Sequence, residues 1–303
     1  MKDIANTSDN YKTPGLFVGL CGMDIVYYSD CGMPEDNSKK KLTDYTMAIG
    51  GPAANAAITY SLMGGETHLL CAIGKSAMGD MIKRLLDEAG VQVIDIAENE
   101  QGMCNISCIH VNTANGDRTI LSGQSGKTVC TEQLAPLKEL VEKCRFALYD
   151  GNLPGVEEAL VQQLTAHGKE LVLDAGSFKD GFATCFRRKP TVISSEGFVD
   201  AAGRNVFELS KIYGFTHSAQ TRGGRPICYE KDGQICELPV REAVAVDTLG
   251  AGDILHGAYC YFRFCKNLPF EEALSGASEF ASFTVEKRGV VPGIDYAKSN
   301  ISL

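Results

Sequence analysis

The stretch VDTLGAGDILHGAY, residues 246 to 259, places two glycines, Gly250 and Gly252, around Ala251 and follows them at once with Asp253. Glycine at these positions lets backbone amides point into a concavity without side-chain obstruction. The helical run that begins at Asp253 adds a positive dipole end and unpaired N–H groups. Together they make an anion hole. A carboxylate inside an anion hole would repel the anion it was meant to bind. It has a purpose if a neutral hydroxyl loses its proton to Asp253 while attacking a phosphoryl group held by those amides. The helix dipole predicts a weak base, which the loose transition state of phosphoryl transfer tolerates. The competing explanation is purely structural, because an acid near a helix start is favoured for capping alone. His256 lies one turn after Asp253 on the same face, where it could support the site or simply pack.

The elements that must position this segment alternate along the chain. LFVGL (16–20), HLLCAIG (68–74), FALYD (146–150), ELVLD (170–174) and TVISS (191–195) read as buried strands, with helical intervals between them. In MGDMIKRLLDEAG the apolar residues Met78, Ile82, Leu85, Leu86 and Ala89 recur at helical spacing, and Gly90 is placed to end the helix. This alternation predicts an α/β fold: a Rossmann-like three-layer core with a mainly parallel sheet covered on both faces. Two β-rich inserts, residues 23–49 and 103–122, break the pattern and predict a small β lid. Asn115-Gly116 marks a hairpin inside the second insert. Residues 1–15 read as a polar arm, and 16–303 as one domain. Asp150 and Asn152 follow a strand at its carboxyl end, where open parallel sheets bind ligands, and are candidate substrate contacts.

With 303 residues, 44% of them hydrophobic and 22% charged, the composition is that of a soluble globular protein. A net charge of −9 without a basic stripe argues against nucleic acid as the partner. The start is polar and no apolar run has the length of a membrane span. Twelve cysteines occur without a CxxC pair and five histidines are scattered, which argues against a structural zinc site and for reduced thiols in the cytoplasm.

DTLGAGD resembles the signature of the ribokinase-like, or PfkB, carbohydrate kinases, and GGPAANAA at 50–57 resembles their other signature, at the expected distance upstream. IGKSAMGDMIKRLLDEAGV (73–91), the hairpin segment around NGDRTIL, and QTRGGRPICYEKDG (220–233) follow in family order, so that the likeness runs from about residue 15 to the C-terminus. It implies ATP-dependent phosphorylation of a sugar hydroxymethyl group, with Mg²⁺ and, in many members, a monovalent cation such as K⁺. Gly250, Ala251 and Gly252 would form the anion hole and Asp253 the base. Asp24, on the first lid strand, would hold the sugar with Asn55, where Gly50 and Gly51 let the backbone approach the ligand. Thr221, Gly223 and Gly224 would belong to the nucleotide loop, and Asp247 and Leu249 would lie near the cation loop.

The chain departs from the family in the middle. Where many members carry NxxE, with an acid that organises magnesium-bound water, the sequence reads SSEGF, with Ser195 and Phe198 at the two marked positions and Glu196 as the nearest carboxylate. GMDIVYY, ISSEG and GDILHG look closest to the sulfofructose kinase and ketohexokinase branch, but YDGNLPG offers no arginine for a sulfonate. The resemblance therefore implies an uncharged ketohexose or related sugar at least as readily. A nucleoside kinase is the rival within the fold, with Tyr27, Tyr28 and Tyr45 as the only aromatic lid candidates; a sugar- or nucleotide-binding relative without turnover is the rival outside it. Apolar lid strands such as DIVYY are compatible with a lid-to-lid homodimer.

Overall fold

A computed structural model describes residues 12–42, 44–101, 104–114, 118–123 and 129–301. Nine strands form the main sheet: β1 (Pro14–Val18), β4 (Glu66–Cys71), β5 (Val91–Asp95), β8 (Phe146–Tyr149), β9 (Glu170–Ala175), β10 (Thr191–Ser195), β11 (His217–Arg222), β12 (Arg225–Lys231) and β13 (Gln234–Leu238). Their order is β13-β12-β11-β10-β9-β8-β1-β4-β5. From β11 to β5 all neighbours run parallel; β12 and β13 add an antiparallel edge. β1 shows why the apolar runs become central strands: Leu16 and Val18 enter one core cluster and Phe17 the other, so the strand is buried on both faces.

The helices divide between those faces. α1 (Pro52–Leu62), α2 (Ala77–Glu88), α7 (Ala251–Cys260), α8 (Phe270–Thr284) and α9 (Val290–Asn300) share the cluster of Phe17, while α3 (Leu137–Lys143), α4 (Glu157–Ala166), α5 (Phe182–Phe186) and α6 (Val206–Tyr213) share that of Leu16. This is the three-layer α/β arrangement expected. α2 starts where Ser76 accepts from the Gly79 amide at 3.0 Å, and Gly90, at φ +75°, takes the chain out of it.

The two β-rich inserts meet in a second sheet, β3-β2-β6-β7, made of β2 (Gly22–Ser29), β3 (Asp44–Gly50), β6 (Asn105–Asn112) and β7 (Arg118–Gly123). β2 pairs antiparallel with β3 but parallel with β6, so the two inserts are zipped side by side. The Asn115-Gly116 turn lies outside the described residues, as do residues 1–11 of the expected arm. That arm ends earlier than expected. Pro14 and Gly15 already pair with Glu66 and Thr67, and Gly15 fits because a Cβ there would run into the rings of Phe146 and Tyr60.

Candidate active site

α7 begins in an unusual way for a helix. Its N-cap is Gly250, in the left-handed region at φ +74°, with no side-chain cap. A residue with a Cβ would be strained there and would crowd Val290 and Asn55. The Ala251 amide bends back to the Thr248 carbonyl at 3.3 Å. The first-turn amides of Gly252 and Asp253 have no acceptor within the helix. A Cβ at Gly252 would meet nothing within 4 Å. That space belongs to a cavity of about 520 Å³ lined by Thr221, Gly223, Gly224, Thr248, Ala251 and Gly252. The segment expected as a nucleotide loop and the segment expected as an anion hole therefore share one cavity. Ala251 contributes wall to it, its own amide being taken.

α7 is brought against α1 at a close crossing. At Gly257 a Cβ would overlap the Ala56 carbonyl and the Thr59 side chain. The approach sets Asn55, in the first turn of α1, beside Asp253, and the Asn55 side-chain amide donates to Oδ2 of Asp253 at 2.9 Å. The carboxyl of Asp253 is pushed up to about 7, first by burial and then by the nearby Asp174 carboxylate; the Asn55 hydrogen bond and His256 pull the other way. The helix dipole had suggested a weak base. Desolvation and a second carboxylate outweigh it, and the Asp253 carboxyl exchanges its proton near neutral pH. Asn55 Oδ1 is buried with no protein partner.

A second cavity, of about 450 Å³, opens on the other side of Asn55 beneath the lid, lined by Thr46, Ala48 and Ile49 of β3 with Asn55, Gly289 and Val290. Asp24 stands directly opposite Ala48 in the lid sheet and so shares its face. A Cβ at Gly50 would overlap the Asp24 carboxylate, and one at Gly51 the Leu20 carbonyl, so both glycines are required by packing. Burial raises the proton affinity of Asp24, and a hydrogen bond from Ser107 partly offsets this.

The Asp150 carboxylate is taken up by backbone amides of the fold. It is 3% exposed, and its oxygens accept the amides of Leu20 at 2.9 Å, Ala53 at 3.0 Å and Asn152 at 2.8 Å. It ties the end of β1 and the start of α1 to β8. Burial still pushes its carboxyl up to about 6. Asn152 lines neither of these two cavities but a separate one of about 440 Å³, with Asn105 and Lys179.

The metal expectations fare worse. Glu196 is held in an ion pair by Arg225 and is not among the residues lining the 520 Å³ cavity. Phe198, at the position of the family's acid, is buried against Phe178 and Phe182. Among the described residues no three acidic, histidine or cysteine side chains cluster to hold a metal. The described residues therefore offer no all-protein cage for Mg²⁺, which in phosphoryl transfer is held by one or two carboxylates together with phosphates and water. The Asp247 side chain is already engaged by groups of the protein. Its oxygens accept the amides of Leu249 at 2.9 Å and Gly289 at 3.0 Å, and the Arg118 guanidinium lies 3.7 Å away. Leu249 packs on the lid cluster of Val26, Tyr28 and Ile109. Arg118 of β7 also donates to the Thr248 hydroxyl, so the lid clasps the loop that carries the anion hole.

Three contributors escaped the sequence. Asp174, at the end of β9, is buried beside His256 at 3.4 Å. Gly257 sets the helix crossing, and Arg118 joins lid to loop. A glycine one turn past DTLGAGD on the face of Asp253 was the signal available for the second; nothing local marks the others.

A parallel sheet covered by helices, a separate β lid, and an open helix start facing a carboxylate define a phosphotransferase acting on an alcohol group. The chain belongs to the PfkB family: it matches the family described as "pfkB family carbohydrate kinase" over residues 15–295. It is 22% identical over 323 residues to a ribokinase of Dictyostelium discoideum, covering 93% of this chain and 97% of that one. A putative ribokinase from Agrobacterium tumefaciens superposes with TM-score 0.79 at 21% identity, over 95% of this chain and 97% of the other. Ribokinase of Arabidopsis thaliana, solved with ribose and ATP, superposes with TM-score 0.74 at 18% identity, over 95% and 97%. These matches carry the name ribokinase; a ketohexokinase of Mus musculus is 29% identical over 106 residues, covering 35% of this chain and 35% of that one.

Proposed function

We propose that this carbohydrate kinase transfers the γ-phosphoryl group of ATP to a hydroxymethyl group of a small, uncharged sugar, with Asp253 as general base. The observation that carries the proposal is the Asn55–Asp253 contact at 2.9 Å, set between the two cavities. The nucleotide belongs in the cavity of Thr221, Gly223 and Gly252, its terminal phosphate against the open first turn of α7. The sugar belongs under the lid, between Asn55 and Asp24. Asn55 Oδ1, lacking a protein partner, is placed to accept from a sugar hydroxyl. The hydroxymethyl oxygen forms the new bond to phosphorus as its proton passes to Asp253. The bond to the bridging oxygen breaks, and ADP leaves with that electron pair. The amides of Gly252 and Asp253 offset the charge on the moving group. No step is routed through a protein-held metal.

The nucleoside reading finds little to rest on. Tyr28 is buried under the Arg288 guanidinium at 4.1 Å, Tyr45 is 63% exposed, and Tyr27 lines a different groove, on the lid. None offers a face to a base beneath the lid. A lid-to-lid dimer is supported by the exposure of Tyr45, Ile120 and Leu121 on lid strands. No described helix is long and apolar enough to cross a membrane, and all twelve cysteines are free.

The test is ADP release with Mg·ATP against pentoses, ketohexoses, sulfofructose and nucleosides, with and without K⁺. A sugar that drives ADP release and gains a phosphate ester supports the proposal. A nucleoside as the only acceptor would overturn the sugar assignment, and ATP binding without transfer to any of them would overturn turnover itself.

A further inference from the structure

His256 lies directly behind the anion hole, and both of its ring nitrogens face oxygen. The side chain is 4% exposed. Its Nδ1 is 2.8 Å from the Gly252 carbonyl oxygen and 3.4 Å from Oδ2 of Asp174; its Nε2 is 3.0 Å from the Ile193 carbonyl oxygen in β10. All three are acceptors. A neutral imidazole has one N–H and one lone pair, so either tautomer would direct a lone pair at a carbonyl oxygen. Only the doubly protonated ring donates from both nitrogens. The counter-charge is next to it. Asp174 is 6% exposed, and its Oδ2 is buried without a hydrogen bond of its own.

The surroundings give such a pair a purpose. Asp253 and Cys260 of α7 and Asp150 at the end of β8 act on it from the packed elements, and all are acids or thiols. Asp174 raises the proton affinity of both Asp150 and Asp253, and Asp150 raises that of Asp253, where the proposed chemistry needs a carboxylate ionised. Like charges gathered in a poorly solvated site resist ionisation, and a buried cation among them relieves that resistance.

We propose that His256 is held as an imidazolium paired with Asp174, and that the pair is a positioning element for Asp253. The cation keeps the base ionised, and its hydrogen bond to the Gly252 carbonyl fixes the peptide planes whose amides form the hole. The second half rests on the reading of Asp253 as general base; the charge state of the ring does not.

Two measurements test this without substrate or turnover, so their failure is separable from failure of the kinase reading. The first is ¹⁵N NMR of histidine-labelled wild-type protein at pH 8, with His256 assigned from His256→Gln among five histidines. Two protonated nitrogens are expected; one protonated and one bare nitrogen would overturn the proposal. The second is the ¹³Cγ titration of Asp253, assigned from Asp253→Asn, in wild type, His256→Gln and Asp174→Asn. Losing the cation should move the Asp253 midpoint up and losing the carboxylate should move it down, each by about one pH unit. Midpoints that stay put, or that move together, would reduce His256 to packing. If His256→Gln fails to fold, His256→Asn supplies the assignment and the same comparison.

Discussion

The first turns of α6 and α7 solve one problem in opposite ways. At α6, Asn205 accepts the amides of Phe207 at 2.9 Å and Glu208 at 3.1 Å, and the Glu208 carboxylate accepts the Asn205 amide at 2.9 Å. Three of its N-terminal amides, those of Asn205, Phe207 and Glu208, are satisfied from within. α7 begins at a glycine with nothing to cap, and its acid, Asp253, accepts from Asn55 on another helix instead of from its own first turn. α1 stands between them: Gly51 provides no side-chain cap, but the Ala53 amide reaches Asp150 from the central sheet. An uncapped helix start is thus not enough to make a binding site. Where a carboxylate from the fold fills the gap, the helix is stapled; where the gap opens on a cavity, donors remain for a ligand.

The largest effect should come from removing the one acid that α7 aims outward. Asp253→Asn should lower turnover by about 10²–10⁴-fold with substrate binding little changed. In wild type the rate should fall as pH drops below about 7, where Asp253 is protonated. The same substitution should stabilise the fold. A carboxyl whose proton affinity is raised by folding contributes fully below its unfolded midpoint near 3.8, and that contribution is lost as pH rises through about 7. The gain in Tm of the Asn variant should therefore be largest at pH 8, about 2–4 °C per kcal/mol for a chain of this order, and vanish near pH 4. Thermal melts across that range check the sign. An equal gain at both pH values would remove the charge argument.

Next in size is Gly252→Ala. Nothing in the protein opposes a methyl group there, so the fold should hold or gain about 0.5–1 kcal/mol from the better helix former. The methyl would occupy the space in front of the open amides, and kcat/KM should fall by about 10²-fold, the scale of losing one anion-hole donor. Activity that survives it would show that the phosphate lies elsewhere. Gly257→Ala tests the crossing that delivers Asn55 to Asp253. The added Cβ overlaps the Ala56 carbonyl, so about 1–3 kcal/mol of stability should be lost, visible as a lower denaturation midpoint, and activity should drop with it.

What the chain discloses depends on whether a property is local. Gly250, Gly252 and Asp253 are legible because a left-handed turn, an open first turn and an acid within it are consequences of neighbouring residues. The layered sheet is legible for a similar reason: apolar runs such as LFV announce burial on both faces. Asp150 reads as a ligand contact because its position, at the end of a parallel strand, is where ligands bind, and its partners within the fold are not legible. What claims its carboxylate are amides 130 and 97 residues away in the chain, and no spacing rule reaches that far. Asp174 was passed over because a strand-end acid looks the same whether it meets water or a buried histidine. Phe198 shows the converse. A position expected to carry an acid is packed among phenylalanines, and only the core explains why a carboxylate could not stand there.

The smallest effect bears on the inert end of the comparison. Asn205→Ala removes a cap whose two accepted amides would be left to water, and such losses lie at about 0.5–2 kcal/mol. The midpoint of chemical denaturation should fall accordingly, with kcat and KM at 25 °C unchanged, because α6 is capped by its own side chains and lines neither proposed substrate cavity. Combining it with Gly252→Ala should give additive stability changes, since the two first turns share no bond. A loss of activity in Asn205→Ala comparable to that of the α7 variants would mean that the end of α6 also reaches the nucleotide. The division between a capped, silent helix start and an open, working one would then have to be redrawn around both.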